Sequence, residues 1–131
     1  MFVFRLESGS GVPPYLQLVH QVRQAVLLGY LKDGDRLPMI REAVEQLAIN
    51  PNTVSKAYRQ LEQEDLVSAK PGVGTFVTGA PGEAIPPARY AALRRGLQRW
   101  LASAEEAGLD DDAVAALIAV VRRESAEEGV A

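Results

Sequence analysis

The chain contains 131 residues, of which 47% are hydrophobic and 24% charged, and its formal net charge is −3. It has no cysteine, which excludes disulfides, cysteine-ligated zinc or iron–sulfur sites and thiol catalysis. No apolar run reaches the roughly 18 residues that span a bilayer, and the N-terminus lacks the pattern of a signal peptide. We therefore expect a soluble, cytoplasmic protein with one domain of ordinary size, or a small domain with an appendage.

Three amphipathic helices are predicted in the first half of the chain, after a short lead of 11 residues. The first follows Pro13-Pro14 and stops before Gly29, with apolar residues at spacings of three and four. The second covers about 39–48, and its apolar face is predicted to contain Ile40, Val44 and Leu47. The third begins at Asn50-Pro51, because Asn caps free amides and Pro fits the first helical position, and it ends near residue 64. The short link between the second and third helices is typical of a helix-turn-helix.

A β-hairpin and a helical hairpin are predicted in the rest of the chain. The β-rich runs 66–69 and 75–78 flank a glycine-containing turn, and a hairpin directly after a helix-turn-helix is a wing. Residues 80–88 are rich in Pro, Gly and Ala and are interpreted as a linker. Residues 89–128 are predicted to form two helices, with Asp110 capping the second. The predicted fold class is mostly α with a small β-hairpin wing: a winged helix-turn-helix over residues 12–79, followed by the linker and the C-terminal α-helical hairpin.

The stretch from Pro14 through Val77 resembles the DNA-binding domain of the GntR family of bacterial transcription regulators. The resemblance is carried by Gly34-Asp35-Arg36-Leu37-Pro38, by Asn52-Thr53-Val54 with Ala57-Tyr58, and by Gly72-Val73-Gly74-Thr75-Phe76-Val77. The phrase Asn50-Pro51-Asn52-Thr53-Val54, together with a two-helix tail, is similar to the YtrA subfamily. The resemblance implies a regulator, with repression favoured, that binds an inverted-repeat operator in double-stranded DNA as a homodimer.

The resemblance also implies which residues contact DNA. The third helix would enter the major groove with its first turns toward the bases, and the wing would reach phosphate or the minor groove. Many family members have arginine where this chain has Pro51 and Ser55, so guanine readout is expected from Arg41, while Lys56 or Lys70 holds phosphate. The predicted DNA-binding residues are Arg36, Arg41, Asn50, Asn52, Thr53, Ser55, Lys56, Arg59, Lys70, Gly72, Gly74 and Thr75.

The two tail helices each carry an apolar stripe, and two helices alone cannot hide both stripes from water. An exposed apolar patch of that size is typical of an interface, so the tail is predicted to form the homodimer contact. The predicted interface residues are Leu93, Leu97, Trp100, Leu101, Val114, Leu117, Ile118 and Val121. A small-molecule effector of unknown identity, if one exists, is expected between two tails or between tail and wing, because two helices enclose too little volume for a ligand pocket.

Two other classes of function are alternatives to a DNA-binding regulator. One is a winged helix that serves only protein–protein contact, without specific DNA binding, and the predicted DNA-facing cations disfavour it. The other is an enzyme, for which no Ser/His/Asp or paired-carboxylate arrangement is present; neither a cofactor nor a metal is expected, since His20 has no partner at metal spacing. Residues 1–79 contain eight Lys or Arg and eight Asp or Glu, so a DNA-binding surface requires that cations and acids lie on different faces.

Overall fold

The structure is a computed structural model that describes residues 2–81 and 85–130. The chain divides into two compact units, residues 1–84 and residues 85–131. The elements in chain order are α1 (Pro14–Leu27), α2 (Ile40–Leu47), α3 (Pro51–Gln63), β1 (Val67–Lys70), β2 (Gly74–Val77), α4 (Pro87–Glu106) and α5 (Asp111–Val130). This order confirms the predicted fold class, and the bounds differ from the predicted ones by only one or two residues at most ends.

The core of the first unit lies between α1 and α3, with α2 packed against α3. Residues of α1 at helical spacing are buried there, among them Leu18, Val22 and Val26. They meet the buried face of α3, which includes Val54 and Leu61. Each such side chain contributes about 1.5–3 kcal/mol when fully buried, so this contact holds the first unit together.

The turn between α2 and α3 follows the predicted local signals. Ala48 ends α2 in the left-handed conformation at φ 54°, and its N–H donates to the carbonyl of Val44. Asn50 then caps α3, because its Oδ1 accepts a hydrogen bond of 2.8 Å from the N–H of Asn52. Pro51 occupies the first helical position, as predicted. Three residues therefore reverse the chain and set the start of α3 against α2.

The buried face of α2 differs from the one that periodicity predicted. Ala43 is completely buried, whereas Val44 and Leu47 are half-buried and Ile40 is 37% exposed. Ile40 is the first residue of a two-turn helix, and helical side chains lean toward the N-terminus. Its side chain therefore extends beyond the surface that α3 covers, and the small Ala43 lets the two helices approach.

The short N-terminal lead is an integral part of the first unit. Phe4 is buried in the core, and its ring centroid lies 6.3 Å from that of Tyr58. The side chain of Gln21 hydrogen-bonds both the N–H and the carbonyl of Arg5. Gln17 does the same for Glu7, at 2.8 and 3.0 Å. These amide side chains replace the backbone partners that a neighbouring strand would supply, so the extended segment is held on α1.

The wing is an antiparallel hairpin in which Val67 pairs with Val77 and Lys70 with Gly74. The segment before α2 pairs with the other edge of β2. The N–H of Leu37 donates to the backbone carbonyl of Thr75, and the N–H of Val77 donates to the backbone carbonyl of Asp35. Arg36 consequently lies beside Phe76 in an isolated bridge. Backbone hydrogen bonds thus join the wing to the loop that precedes α2.

The second unit consists of α4 and α5 joined by a short turn. Gly108 takes φ 91° in that turn. Asp110 caps α5, as predicted, because its side chain accepts a hydrogen bond of 2.8 Å from the N–H of Ala113. The backbones of the two helices approach each other closely at few positions, and Ala104 is the side chain buried within the described part of this unit. None of the helices in the described residues is both long enough and apolar enough to cross a membrane.

Candidate nucleic-acid interface

The third helix has one buried face and one polar exposed face. Val54, Ala57 and Leu61 point into the core. Asn52, Lys56 and Arg59 are exposed. These three lie at positions i, i+4 and i+7, which places them on one side of an α-helix. The predicted contact residues Thr53 and Ser55 are half-buried on its flanks.

Buried and local contacts hold α3 at its middle and near its C-terminus. The hydroxyl of Tyr58 donates a buried hydrogen bond of 2.5 Å to the carbonyl of Pro38, which ties the helix to the loop before α2. Burial raises the pKa of Tyr58, and the nearby Glu42 carboxylate raises it further, so the phenol stays protonated and donates. Near the C-terminus of α3, the Glu62 carboxylate accepts a hydrogen bond of 2.8 Å from the N–H of Ala69 in β1. The helix is therefore fixed relative to the wing.

The wing carries one cation over an aromatic ring and has a second cation beside one of its glycines. The Nζ of Lys70 lies 5.2 Å from the centroid of Phe76. The aliphatic part of Arg36 crosses Gly74, where a Cβ would lie only 3.0 Å from the Arg36 Cδ. Gly74 also takes φ 145°, and Gly72 in the turn takes φ 75°, both in the region that favours glycine. The two glycines thus shape the tip, and Gly74 additionally leaves room for the arginine.

Several carboxylates of the first unit are bonded to other groups of the same unit. Glu64 pairs with Arg23 at 2.6 Å, and this hydrogen-bonded guanidinium lowers the pKa of the Glu64 carboxyl. Other carboxylates accept hydrogen bonds from backbone N–H groups; they are Asp33, Asp35, Glu42 and Glu62. In residues 2–81, by contrast, the predicted DNA-binding cations have no carboxylate oxygen within 4.0 Å; they are Arg36, Arg41, Lys56, Arg59 and Lys70. A charge-balanced unit can therefore still present uncompensated positive charge.

The remaining predicted contact residues occupy different settings. Arg41 is exposed on the second residue of α2. Asn50 is exposed too; its side-chain oxygen accepts the hydrogen bond of the helix cap, and its amide nitrogen remains available as a donor to a ligand. Thr75 is half-buried in β2, and its carbonyl accepts from Leu37. No group of three potential metal ligands occurs in the part of the chain that the structure describes.

Two aromatic residues lie beside this surface that the sequence pattern does not mark as functional. The Nζ of Lys56 lies 3.9 Å from the centroid of the Tyr15 ring, and the Nζ of Lys70 lies over the ring of Phe76. Tyr15 lies at the apolar spacing of α1, and it packs against the core. Sequence spacing contains no signal for a contact between residues 41 positions apart. For Phe76, the alternation of side chains between the two faces of a hairpin does indicate a place on the same face as Lys70.

Comparison with known proteins matches this geometry. The model of the family "Bacterial regulatory proteins, gntR family" matches residues 14–77. The transcriptional repressor YtrA of Bacillus subtilis (strain 168) is 31% identical over 108 residues, which are 82% of this chain and 83% of that protein. Two further relatives, YhcF of Bacillus subtilis (strain 168) and Rv1152 of Mycobacterium tuberculosis, are also named as transcriptional regulators.

Two solved structures have a similar fold. YtrA from Sulfolobus acidocaldarius, a GntR-family transcription factor, is 31% identical and has a TM-score of 0.53, covering 77% of this chain and 99% of that one. The DNA-binding domain of AraR, solved in complex with operator ORE1, is 26% identical with a TM-score of 0.50, covering 60% of this chain and 95% of the other. With a polar exposed third helix, a wing and these relatives, the chain belongs to the GntR family of bacterial regulatory proteins and is similar to its YtrA subfamily.

Proposed function

We propose that this protein is a transcriptional repressor that binds an inverted-repeat operator in double-stranded DNA as a homodimer. The observation that carries the proposal is the exposed side of α3, where Asn52, Lys56 and Arg59 are free of carboxylate partners within the described residues. A helix with such a face fits the major groove, and the two-fold symmetry of a dimer matches an inverted repeat. The operator complex of the similar AraR domain and the repressor name of the similar YtrA support this reading.

The surroundings of each residue suggest how the contacts divide. Asn52 in the first turn of α3 and Arg41 in the first turn of α2 are exposed and suited to base edges, Asn toward adenine and Arg toward guanine. Lys70 and Gly72 at the wing are suited to phosphate, as a point charge and an open backbone amide. Arg36 lies beside the wing and completes its positive end.

Binding measurements with the DNA upstream of the protein's own gene, and with random DNA of equal length, test this assignment. Arg41→Ala should lower the affinity for the operator by about 1–3 kcal/mol and relax sequence preference. Lys70→Ala should weaken binding to both DNAs alike and reduce the slope of log K against log salt by about one. Arg123→Gln in α5 removes one charge outside the proposed surface and is the matched control. Equal losses on both DNAs for Arg41→Ala would contradict its role as a base reader.

The same assay separates the proposal from the alternative of a purely protein-binding winged helix. A repressor should prefer one site in the upstream DNA over random DNA, with specific affinities typically near 10⁻⁸ to 10⁻¹¹ M. A footprint should then show two symmetrical half-sites. A protein without any preference between the two DNAs would support the alternative.

We further propose that the tail forms the dimer. Of the eight predicted interface residues, seven are between 36% and 59% exposed and Val114 is half-buried. A groove of about 210 Å³ opens between the helices, lined by Leu97 and Trp100 from α4 and by Leu117, Ile118 and Val121 from α5. Since α4 and α5 cover each other so little, a second tail is the cover that this apolar surface requires. The proposed division is DNA binding by residues 12–79, a linker over 80–88 and dimerisation by 89–128.

Sedimentation measurements test the tail assignment. Val121→Glu should shift the protein toward the monomer and weaken operator binding toward the non-specific range of about 10⁻⁴ to 10⁻⁶ M. Val120→Glu is the matched control, because Val120 is 37% exposed on the same helix but lies off the predicted stripe. Removal of the tail after residue 81 should leave a folded monomer, since the core of the first unit is self-contained. A truncated protein that remains dimeric would show that the interface lies elsewhere.

A further inference from the structure

We propose that Tyr15 is a positioning residue of the DNA-binding surface, whose ring holds the Lys56 ammonium at the edge of α3 so that Lys56 contacts a backbone phosphate and not a base. The inference rests on the proposed DNA binding and deepens it by assigning one contact of the recognition helix. Tyr15 itself touches no DNA in this proposal and acts through Lys56.

The geometry is that of a cation–π pair. The Nζ of Lys56 lies 3.9 Å from the centroid of the Tyr15 ring, well within the roughly 6 Å over which a ring attracts a cation. Tyr15 is half-buried and packs against the hydrophobic core, so the ring is a fixed support. Lysine, in contrast, has a flexible four-carbon stem whose ammonium would otherwise sample many positions. The ring therefore selects one region for the charge before DNA arrives.

The ring positions the charge without neutralising it. A carboxylate at this place would hold the ammonium equally well, but it would compete with phosphate and cancel the positive charge. Lys56 has no carboxylate oxygen within 4.0 Å among the residues that the structure describes. The full charge thus stays available for a phosphate and for the release of counterions on binding.

The direction of the pair favours phosphate over a base. Tyr15 is the second residue of α1, so the Lys56 ammonium is drawn sideways from α3 toward the start of α1. Asn52, one helical turn earlier, and Arg59 share the exposed side of α3, and no aromatic contact draws either of them toward α1 within the described residues. When a recognition helix lies in the major groove, its crest faces the bases and its flanks face the two phosphate backbones.

A double-mutant cycle on the full-length chain tests the pairing. Tyr15→Leu should weaken binding about 2- to 5-fold, the range typical of an exposed cation–π pair, on operator and random DNA alike. Tyr15→Phe keeps the ring and should retain most of the affinity. Lys56→Met should weaken binding to both DNAs and lower the salt slope by about one, whereas Tyr15→Leu should leave that slope unchanged because the charge remains. In the Lys56→Met background, Tyr15→Leu should have no further effect.

Other outcomes overturn the proposal. If Tyr15→Leu weakens binding equally in the presence and absence of Lys56, the ring acts only through the fold. If Tyr15→Leu tightens binding, the ring withholds Lys56 from DNA, and if Lys56→Met affects the operator alone, Lys56 reads a base. Circular dichroism establishes that each variant is folded before its affinity is compared.

A spectroscopic measurement separates this proposal from the proposed function. The ring current of Tyr15 should shift the Lys56 ε-CH₂ proton resonances upfield in the free wild-type protein and in Tyr15→Phe, but not in Tyr15→Leu. An upfield shift without any DNA binding would refute the function and leave the pair intact. DNA binding by a wild-type protein that lacks the shift would refute the pair alone.

Discussion

Tyr58→Phe should destabilise the first unit by an amount that the structure defines. The substitution keeps the buried ring and removes only the hydroxyl, which donates a hydrogen bond of 2.5 Å to the carbonyl of Pro38. Both residues are buried, so water cannot easily replace the lost donor. A buried acceptor that loses its partner costs about 1–3 kcal/mol, and each kcal/mol lowers the Tm of a domain of this size by roughly 4–8 °C.

Urea unfolding followed by far-ultraviolet circular dichroism, at one fixed protein concentration, measures this loss. Tyr15→Phe is the matched control, because the structure of residues 2–81 shows no hydrogen bond from the Tyr15 hydroxyl, and its effect should stay within about 0.5 kcal/mol. If Tyr58→Phe unfolds at the same urea concentration as the wild type, the bond does not anchor α3.

The same residue predicts a pH dependence. Burial raises the pKa of Tyr58 above the ordinary tyrosine value of about 10, and the Glu42 carboxylate adds to the shift. The folded state therefore retains a proton that the unfolded state loses, so this contribution is complete below about pH 10 and declines as the pH rises further. The difference in stability between wild type and Tyr58→Phe should narrow above pH 10. A constant difference would contradict the raised pKa.

Two further substitutions test the charge separation and the wing. Glu64→Gln should cost about 0.2–1 kcal/mol at neutral pH, as expected for a partly exposed ion pair with Arg23. Because the pKa of Glu64 is lowered in the folded state, this contribution is present above the ordinary carboxyl pKa and lost as the pH falls through the folded value. Urea unfolding at acid and neutral pH measures it, and an equal loss at both would contradict the ion pair. Gly74→Ala should weaken DNA binding more than Gly72→Ala does, since both glycines take positive φ but only at Gly74 would the new Cβ meet Arg36. Equal losses in a binding assay would show that backbone strain alone is responsible.

Local sequence rules predicted the elements of the first unit well, because short-range chemistry decides them. Asn50 and Pro51 fit the start of a helix on their own, and the structure confirms the cap. The hairpin also follows from β-rich runs around a glycine turn. The exposed side of α3 follows from its apolar period, since residues at the opposite positions are buried.

The rest of the site depends on contacts between distant parts of the chain. The lead before α1 alternates between covered and exposed residues, but the sequence does not show what it packs on; the side-chain amides of Gln17 and Gln21 hold it on α1. The pairing of the loop before α2 with β2, which brings Arg36 to the wing, is likewise invisible in either segment alone.

The sequence by itself determined the class of fold, the order of its elements and the residue types available to bind DNA, because caps, turns and apolar periods act within a few residues. Only the tertiary structure decided which charges are free. Acids and cations are equal in number in residues 1–79, yet five of the eight acids accept hydrogen bonds from backbone N–H groups or pair with Arg23, while Lys56 and Lys70 lie on aromatic rings. A hydrogen bond or a cation–π contact requires atoms within a few ångströms, and packing alone brings residues that are tens of positions apart to that distance.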